Sequence, residues 1–267
     1  MTKNKIMKNA ALGALCLAST AMMPAVSQAA LIGITFDEQL ISIDETTGAG
    51  TLIGNLDSSM DAFGLSDRGG ALYTFDQTAD VVRQLDPNSG ATLNTIDVGI
   101  STIGEGAIAF RSDGAGFMSR SSGATGDLWS IDVMSGTSMS IGGLTVSMDG
   151  MDFNSSDVLY GISQSTAALY TIDQGTGAVS LIGDTGLNSN TALSGLTFGM
   201  DDMLYAIISD SLYSIDASTG AASLIGATGF SRVSGLTSIA SSVPEPTSLA
   251  LLGFGLIGLN FMRRKSA

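Results

Sequence analysis

A strand-like segment ending in Asp recurs five times along this chain, at intervals of 41 to 46 residues. The copies are Leu40–Asp44, Val82–Asp86, Leu128–Asp132, Leu169–Asp173 and Leu212–Asp216. Apolar and polar residues alternate in each copy with period two, as they do in a half-buried strand. A second apolar run follows after a short connection, most clearly in Ser180–Gly183 and Ser223–Gly226. A period of 40–45 residues made of short strands is typical of propeller blades.

The connection between the two runs predicts a tight turn. It begins at the Asp of each copy and ends in Gly at positions 48, 90, 136, 177 and 220. An Asp side chain accepts hydrogen bonds from backbone N–H groups of such a turn, and Gly supplies a positive φ. Because the five Asp residues occupy one equivalent position per copy, we interpret them as turn caps and not as a metal or catalytic set.

A second hairpin fills the other half of the period. Its clearest copies are Gly150–Phe153 with Leu159–Ile162, and Gly195–Phe198 with Leu204–Ile207; weaker ones lie at 64–65 with 72–75 and at 107–110 with 116–119. Four strands per period make one blade of a β-propeller.

The two ends of the repeat region complete the strand count. Gly235–Ile239 matches the first strand of a blade but has no second strand after it, and Leu31–Ile34 supplies one from the other end. Each of the four strand types then occurs five times. The sequence therefore predicts an all-β, five-bladed β-propeller over residues 30–240, closed by pairing of its N- and C-terminal strands.

The repeat resembles those of secreted propellers of the YVTN, NHL and kelch kinds, and also those of bacterial DUF4394-like extracellular domains. Residues 169–183 and 212–226, which read Leu-Tyr-x-Ile-Asp, then Thr-Gly-Ala, then Leu-Ile-Gly, carry the likeness best. It extends over roughly residues 31–240. The resemblance implies the fold and leaves the function open, because propellers host unrelated activities.

The N-terminus has the pattern of a secretory signal peptide. Lys3, Lys5 and Lys8 precede an apolar stretch at 10–23, and small residues stand at 27 and 29. This pattern predicts a signal peptide over residues 1–29, cut after Ala29. The only cysteine, Cys16, lies inside it, so we expect no disulfide in the mature domain.

The C-terminus resembles a PEP-CTERM sorting tail. Within residues 241–267, a short apolar helix is predicted at 247–262, which is marginal for a bilayer span. The motif residues are Pro244, Glu245, Pro246, Arg263, Arg264 and Lys265. The resemblance implies an exosortase-type processing enzyme as partner and transient anchoring in the inner membrane of a Gram-negative bacterium. It then implies a surface or extracellular location linked to exopolysaccharide and biofilm. A permanent membrane anchor is the alternative that stays open.

Charge and composition exclude several kinds of chemistry. Between the two terminal segments the chain has 24 acidic residues and five basic residues, all Arg, which gives a net charge of −19. Such a body repels nucleic acid and anionic lipid. The chain has no histidine, so it lacks the commonest general base and the commonest transition-metal ligand. We predict no resident metal or cofactor; weak Ca²⁺ binding at the Asp201–Asp202 turn stays open.

Three carboxylates are the best catalytic candidates. Asp61, Glu105 and Asp149 stand just before the predicted first strands of three blades, which should line the central channel near Arg232. Like charges held close together can raise a carboxyl pKa enough to make a general acid. The competing interpretation is a set of solvated carboxylates at the rim, or a loose cation site. We favour it, because the blades are short and a single Trp offers little aromatic platform for a sugar.

The sequence thus predicts a secreted, non-catalytic binding or matrix protein whose partner is an extracellular polysaccharide or a surface protein. One alternative is a glycan-acting hydrolase or lyase that uses Asp61, Glu105 and Asp149. Another is a purely structural surface protein.

Overall fold

A computed structural model describes residues 29–101, 106–187 and 193–240, which form twenty β-strands. The strands are arranged in five four-stranded antiparallel sheets. The prediction of an all-β, five-bladed propeller is confirmed. Most of the predicted signal peptide and the whole predicted sorting tail lie outside the described residues. Within the described ranges, no helix has the length and hydropathy needed to span a bilayer.

We number the blades I to V from the N-terminus. Blade I contains β1 (Ala29–Thr35), β2 (Gln39–Ile43), β3 (Gly50–Asn55) and, from the other end of the chain, β20 (Val233–Ala240). Blade II contains β4 (Ala62–Arg68), β5 (Ala71–Asp76), β6 (Val81–Leu85) and β7 (Thr92–Ile96). Blade III contains β8 (Gly106–Phe110), β9 (Gly116–Ser122), β10 (Thr125–Asp132) and β11 (Thr137–Leu144).

The remaining two blades have the same order. Blade IV contains β12 (Gly150–Phe153), β13 (Leu159–Ser163), β14 (Ala168–Ile172) and β15 (Val179–Asp184). Blade V contains β16 (Leu193–Phe198), β17 (Leu204–Ile208), β18 (Ser211–Ile215) and β19 (Ala222–Ala227).

Blade I closes the ring as the sequence predicts. Strand β1 lies between β2 and β20, with Leu31 opposite Ser238 and Ile34 opposite Gly235. Ala29 pairs with Ala240, so both ends of the described chain leave from one face. That face also carries the β12–β13 turn, because β20 is the first strand of its blade, as β12 is. The predicted cut after Ala29 stays a prediction; it would remove one residue pair from this sheet.

The core lies between the blades. The buried side chains of the described residues form five clusters, and each cluster draws on two neighbouring blades. The buried apolar residues run from Leu31 to Leu236, all within the ring. The ring therefore holds its own core, and each blade depends on the next one for burial.

The repeated Asp and Gly form the turn that the sequence predicts. The five Gly residues have φ between +68° and +81°. Each Asp accepts backbone N–H bonds within its own turn; Asp44 Oδ1, for example, accepts them from Thr46 and Thr47 at 3.0 and 2.8 Å. The Thr46 hydroxyl, followed by the other donors of the turn, lowers the pKa of Asp44 to about 2. The turn-cap interpretation is confirmed.

The described parts of the first strands approach one another closely at the ring axis. A Cβ on Gly150 would lie 2.7 Å from the backbone nitrogen of Leu196, and one on Gly235 would lie 2.9 Å from that of Leu65. Glycine therefore lets the inner strands approach at backbone distance. The gap that remains has an empty volume of about 160 Å³ and no room for a water-sized molecule.

Candidate functional site

The three predicted carboxylates are not all placed by the structure. Asp149 borders the axial gap, is 8% exposed, and accepts the Gln164 N–H at 2.7 Å on Oδ2. Asp61 is half-buried at the start of β4, and its N–H donates to Asp76 Oδ1 at 3.4 Å. Glu105 lies outside the described residues. The catalytic set therefore stays a prediction.

Arg232, expected beside these carboxylates, has partners in blade I. Its guanidinium lies 3.7 Å from the Asp37 carboxylate and 4.8 Å from the centre of the Phe36 ring. Its N–H donates to Asp210. These contacts give Arg232 a structural role at the junction of blades V and I.

A separate open groove lies on the opposite face, among blades III, IV and V. We call it the phenylalanine groove. Its floor is formed by Phe110, Phe153 and Phe198, which end the first strands β8, β12 and β16. Its rim is formed by the turns that follow those strands, and its volume is about 480 Å³. The aromatic residue comes from the Gly-Leu-x-Phe pattern of the repeat, so the fold places three equivalent rings side by side.

Hydrogen bonds between neighbouring turns fix the rim. The Ser112 hydroxyl and N–H donate to the two Asp157 carboxylate oxygens at 2.8 and 3.2 Å. Ser155, at the corresponding place in blade IV, donates in the same way to Asp202 of blade V. Each turn is thus tied to the turn of the next blade.

The blade V end of the groove combines two acidic side chains, Asp201 and Asp202, with exposed methionines. Met200 is 63% exposed and Met203 is 48% exposed, and they flank two acidic residues. Burial, followed by repulsion from Asp201, raises the pKa of Glu45 above its usual range. Burial and the same carboxylate raise the pKa of Tyr205 to about 12. Asp201 therefore creates a negative potential here.

A partly buried carboxyl group lies in β12, next to a residue of the groove floor. Asp152 Oδ2 accepts the Phe198 N–H at 2.7 Å and the Thr197 hydroxyl at 2.8 Å, so it joins blade IV to blade V. Desolvation raises its pKa to about 6, against these hydrogen bonds. Sequence reasoning missed Asp152. The available signal was a charged residue inside the apolar pattern of a first strand.

Cation binding at the Asp201–Asp202 turn stays a prediction. Asp201 Oδ1 accepts the Met203 N–H at 3.1 Å, and Asp202 is bound by Ser155. Among residues 29–101, 106–187 and 193–240, no group of three or more His, Cys, Asp or Glu side chains could hold a metal ion.

The C-terminal residues 242–265 match the model of the PEP-CTERM protein-sorting motif. The chain carries a PEP-CTERM sorting motif. This motif implies export, transient membrane anchoring and processing by an exosortase. The match includes the Pro-Glu-Pro segment and the basic cluster from which the sequence predicts this tail.

Solved structures show similarity to the propeller of this PEP-CTERM protein. A chain from the crystal structure of a nidogen/laminin complex is 14% identical, with a TM-score of 0.53; the match covers 80% of this chain and 99% of that one. A protein of unknown function from Bacteroides thetaiotaomicron matches with 15% identity and a TM-score of 0.48, over 74% and 50% of the two chains.

Virginiamycin B lyase from Staphylococcus aureus matches with 11% identity and a TM-score of 0.45, over 72% of this chain and 68% of that one. At these identities the similarity concerns the fold alone. No curated protein matches this chain in sequence.

Proposed function

We propose that this PEP-CTERM protein is an exported, non-catalytic binding module at the surface of a Gram-negative bacterium. The observation that carries the proposal is the narrow gap between the inner strands, which among the described residues has no room for a water-sized molecule. A carboxylate enzyme needs two carboxyl groups at a cleft that admits its substrate. An open groove on a ring of five packed blades suits recognition of another molecule without turnover.

The partner is an extracellular polysaccharide or a surface protein. The sorting motif supports a place outside the cytoplasm, where both are present. The nidogen/laminin structure is a complex of proteins, and its similarity supports protein binding only by analogy of fold. The net charge of −19 between the terminal segments argues against a polyanionic partner.

Binding and turnover can be separated in one experiment. The full-length protein, purified in mild detergent, is incubated with exopolysaccharides and with surface-protein extracts, and both retention and new reducing or unsaturated sugar ends are measured. We expect saturable retention of one partner without new sugar ends. Retention should be unchanged in Glu105→Ala.

Two results would contradict the proposal. Sugar-end formation that Glu105→Ala or Asp149→Asn abolishes would establish the enzyme alternative. Absence of retention on every sample would favour a purely structural surface protein.

A further inference from the structure

We propose that the phenylalanine groove binds a basic side chain, Lys or Arg, flanked by apolar residues on an extended segment of a partner protein. This inference rests on the proposed role as a binding module and names the chemistry of its partner. The groove volume of about 480 Å³ falls within the usual range of small-molecule sites, roughly 300–1,000 Å³.

The groove floor suits an aliphatic stem that ends in a cation. Phe110, Phe153 and Phe198 line it with the 7 to 9% of their surface that stays exposed, and an aromatic ring attracts a cation close to its face. The molecule itself uses this contact repeatedly. Four of the five arginines in the described residues lie over an aromatic ring, at 4.8 to 5.9 Å from its centre. One of them, Arg68, lies over Phe110 at the edge of the groove.

The groove rim supplies negative charge that the protein does not neutralise by ion pairing. Asp157, Asp201 and Asp202 line it, and none of the salt bridges among the described residues involves them. Of the two nearby arginines, Arg111 pairs with Asp113 at 2.7 Å and also attracts the Asp157 carboxylate, and Arg68 donates to the Gly114 carbonyl at 3.1 Å. Asp201 and Asp202 therefore carry most of the free negative charge of the rim. The acidic body also steers cationic partners toward the surface.

Exposed apolar side chains beside the carboxylates favour a partner segment in which apolar residues flank the Lys or Arg. Met200 is 63% exposed and Met203 is 48% exposed, and Val158 on the adjacent turn is 38% exposed. Methionine adapts its shape to a partner side chain. A bare metal ion or a polyanion would use neither these apolar surfaces nor the aromatic floor. An extended segment with apolar residues on both sides of a Lys or Arg would use both.

The decisive variant is Asp201→Asn, with Asp184→Asn as the matched control. Both carboxylates are exposed, and each accepts the N–H two residues later, from Met203 at 3.1 Å and from Gly186 at 2.7 Å. Asparagine keeps that acceptor and removes the charge. Asp184 ends β15 and therefore lies on the face away from the groove.

The probe is a fluorescent, end-capped peptide Gly-Leu-Lys-Leu-Gly, compared with a peptide that has norleucine in place of Lys. Binding to the full-length protein in mild detergent is followed by anisotropy. We expect saturable binding of the Lys peptide, weakened about three- to tenfold by Asp201→Asn, which corresponds to about 0.6–1.4 kcal/mol. Asp184→Asn should bind like the wild type, and the norleucine peptide should bind more weakly than the Lys peptide.

Absence of saturable Lys-peptide binding, or equal binding by Asp201→Asn and the wild type, would overturn the groove assignment. If the protein still retains a surface component in the preceding experiment, the binding-module proposal survives such a result and only the groove is wrong. Loss of both signals would remove both proposals.

Discussion

Single polar side chains join the inner strands of neighbouring blades. Inner strands of adjacent blades are not paired with each other, so their N–H groups need another acceptor. The third residue of the Gly-Leu-x-Phe pattern supplies it: Ser66 Oγ accepts the Phe110 N–H at 3.2 Å. Between blades IV and V, at the corresponding place, Asp152 Oδ2 accepts the Phe198 N–H at 2.7 Å. The Asp152 carboxyl group therefore accepts the same inter-blade hydrogen bond as the Ser66 hydroxyl, and its burial raises its pKa.

Asp152 should make the stability of the ring depend on pH. Its folded pKa of about 6 exceeds the ordinary value of 3.8, so the folded state holds a proton that the unfolded state has lost between these values. The free energy of unfolding should therefore fall as pH rises from about 4 to about 6, by about 1–3 kcal/mol. Asp152→Asn keeps the acceptor and cannot ionise, so this decrease should disappear in urea unfolding at several pH values.

The exposed Asp184→Asn change is the control for this series and should leave the decrease in place. A wild-type unfolding free energy that is flat, or that rises with pH in the same window relative to Asp152→Asn, would show that Asp152 is ionised in the folded ring throughout.

The outer strands explain why Leu-Ile-Gly recurs in the repeat. In β15, Leu169 pairs with Gly183 and Tyr170 pairs with Leu181, so Ile182 between them is a β-bulge. Ile182 packs against the core, whereas Leu181 is 65% exposed. Gly183 lies against the carbonyl of Thr219 in the turn of blade V. Leu181 therefore faces solvent, Ile182 packs in the core, and Gly183 lies against the neighbouring blade. The bulge also makes the unpaired edge of the sheet less able to pair with another chain.

Gly183→Ala should destabilise the ring more than any glycine change in open space. Its Cβ would overlap the Thr219 carbonyl oxygen, which is backbone and cannot rotate away. We expect a loss of about 1–3 kcal/mol in the free energy of unfolding, the usual range for overpacking. The matched control is Gly143→Ala in β11, where the nearest atom is 4.0 Å away. Urea unfolding compares the two, and equal stability would show that the blades separate to accommodate the methyl group.

Local patterns could be predicted from the sequence, and contacts between blades could not. The Asp44 turn and its four equivalents depend on neighbours within three residues, so their geometry is encoded where they stand. The packing of Gly183 on Thr219 joins residues 36 positions apart in different blades. The phenylalanine groove requires the order of blades III to V around the ring, and the closed axis requires the distance between inner strands. The repeat pattern specifies the strands of one blade, and it specifies neither the contacts between blades nor the distance between inner strands.

At the scale of the whole molecule, the ring has no independent part. Each of the five core clusters is shared by two neighbouring blades, and the one between blades V and I includes Val233 and Leu236 of β20. Strand β20 also pairs with β1 along its length. Removing this one strand therefore opens the sheet of blade I and exposes two cluster surfaces.

Two shortened chains test this closure. A chain that ends at Ala240 lacks the sorting tail and keeps every described strand; it should unfold cooperatively at a temperature close to that of the full-length protein. A chain that ends at Ser231 lacks β20, and we expect it to lose cooperative unfolding, as followed by circular dichroism. A sharp transition in the shorter chain would show that the first 231 residues close without the terminal strand.

The pairing of Ala29 with Ala240 has a practical consequence for any assay on a surface. These residues lie on the face that carries the phenylalanine groove, since β20 ends where β8, β12 and β16 end. In a chain that ends at Ala240, a support attached at that residue would hold this face against the matrix and hide the groove. The β9–β10 hairpin at Gly123 is on the other face, with nothing within 4 Å of a Cβ placed there. A tether inserted at that hairpin would turn the groove outward.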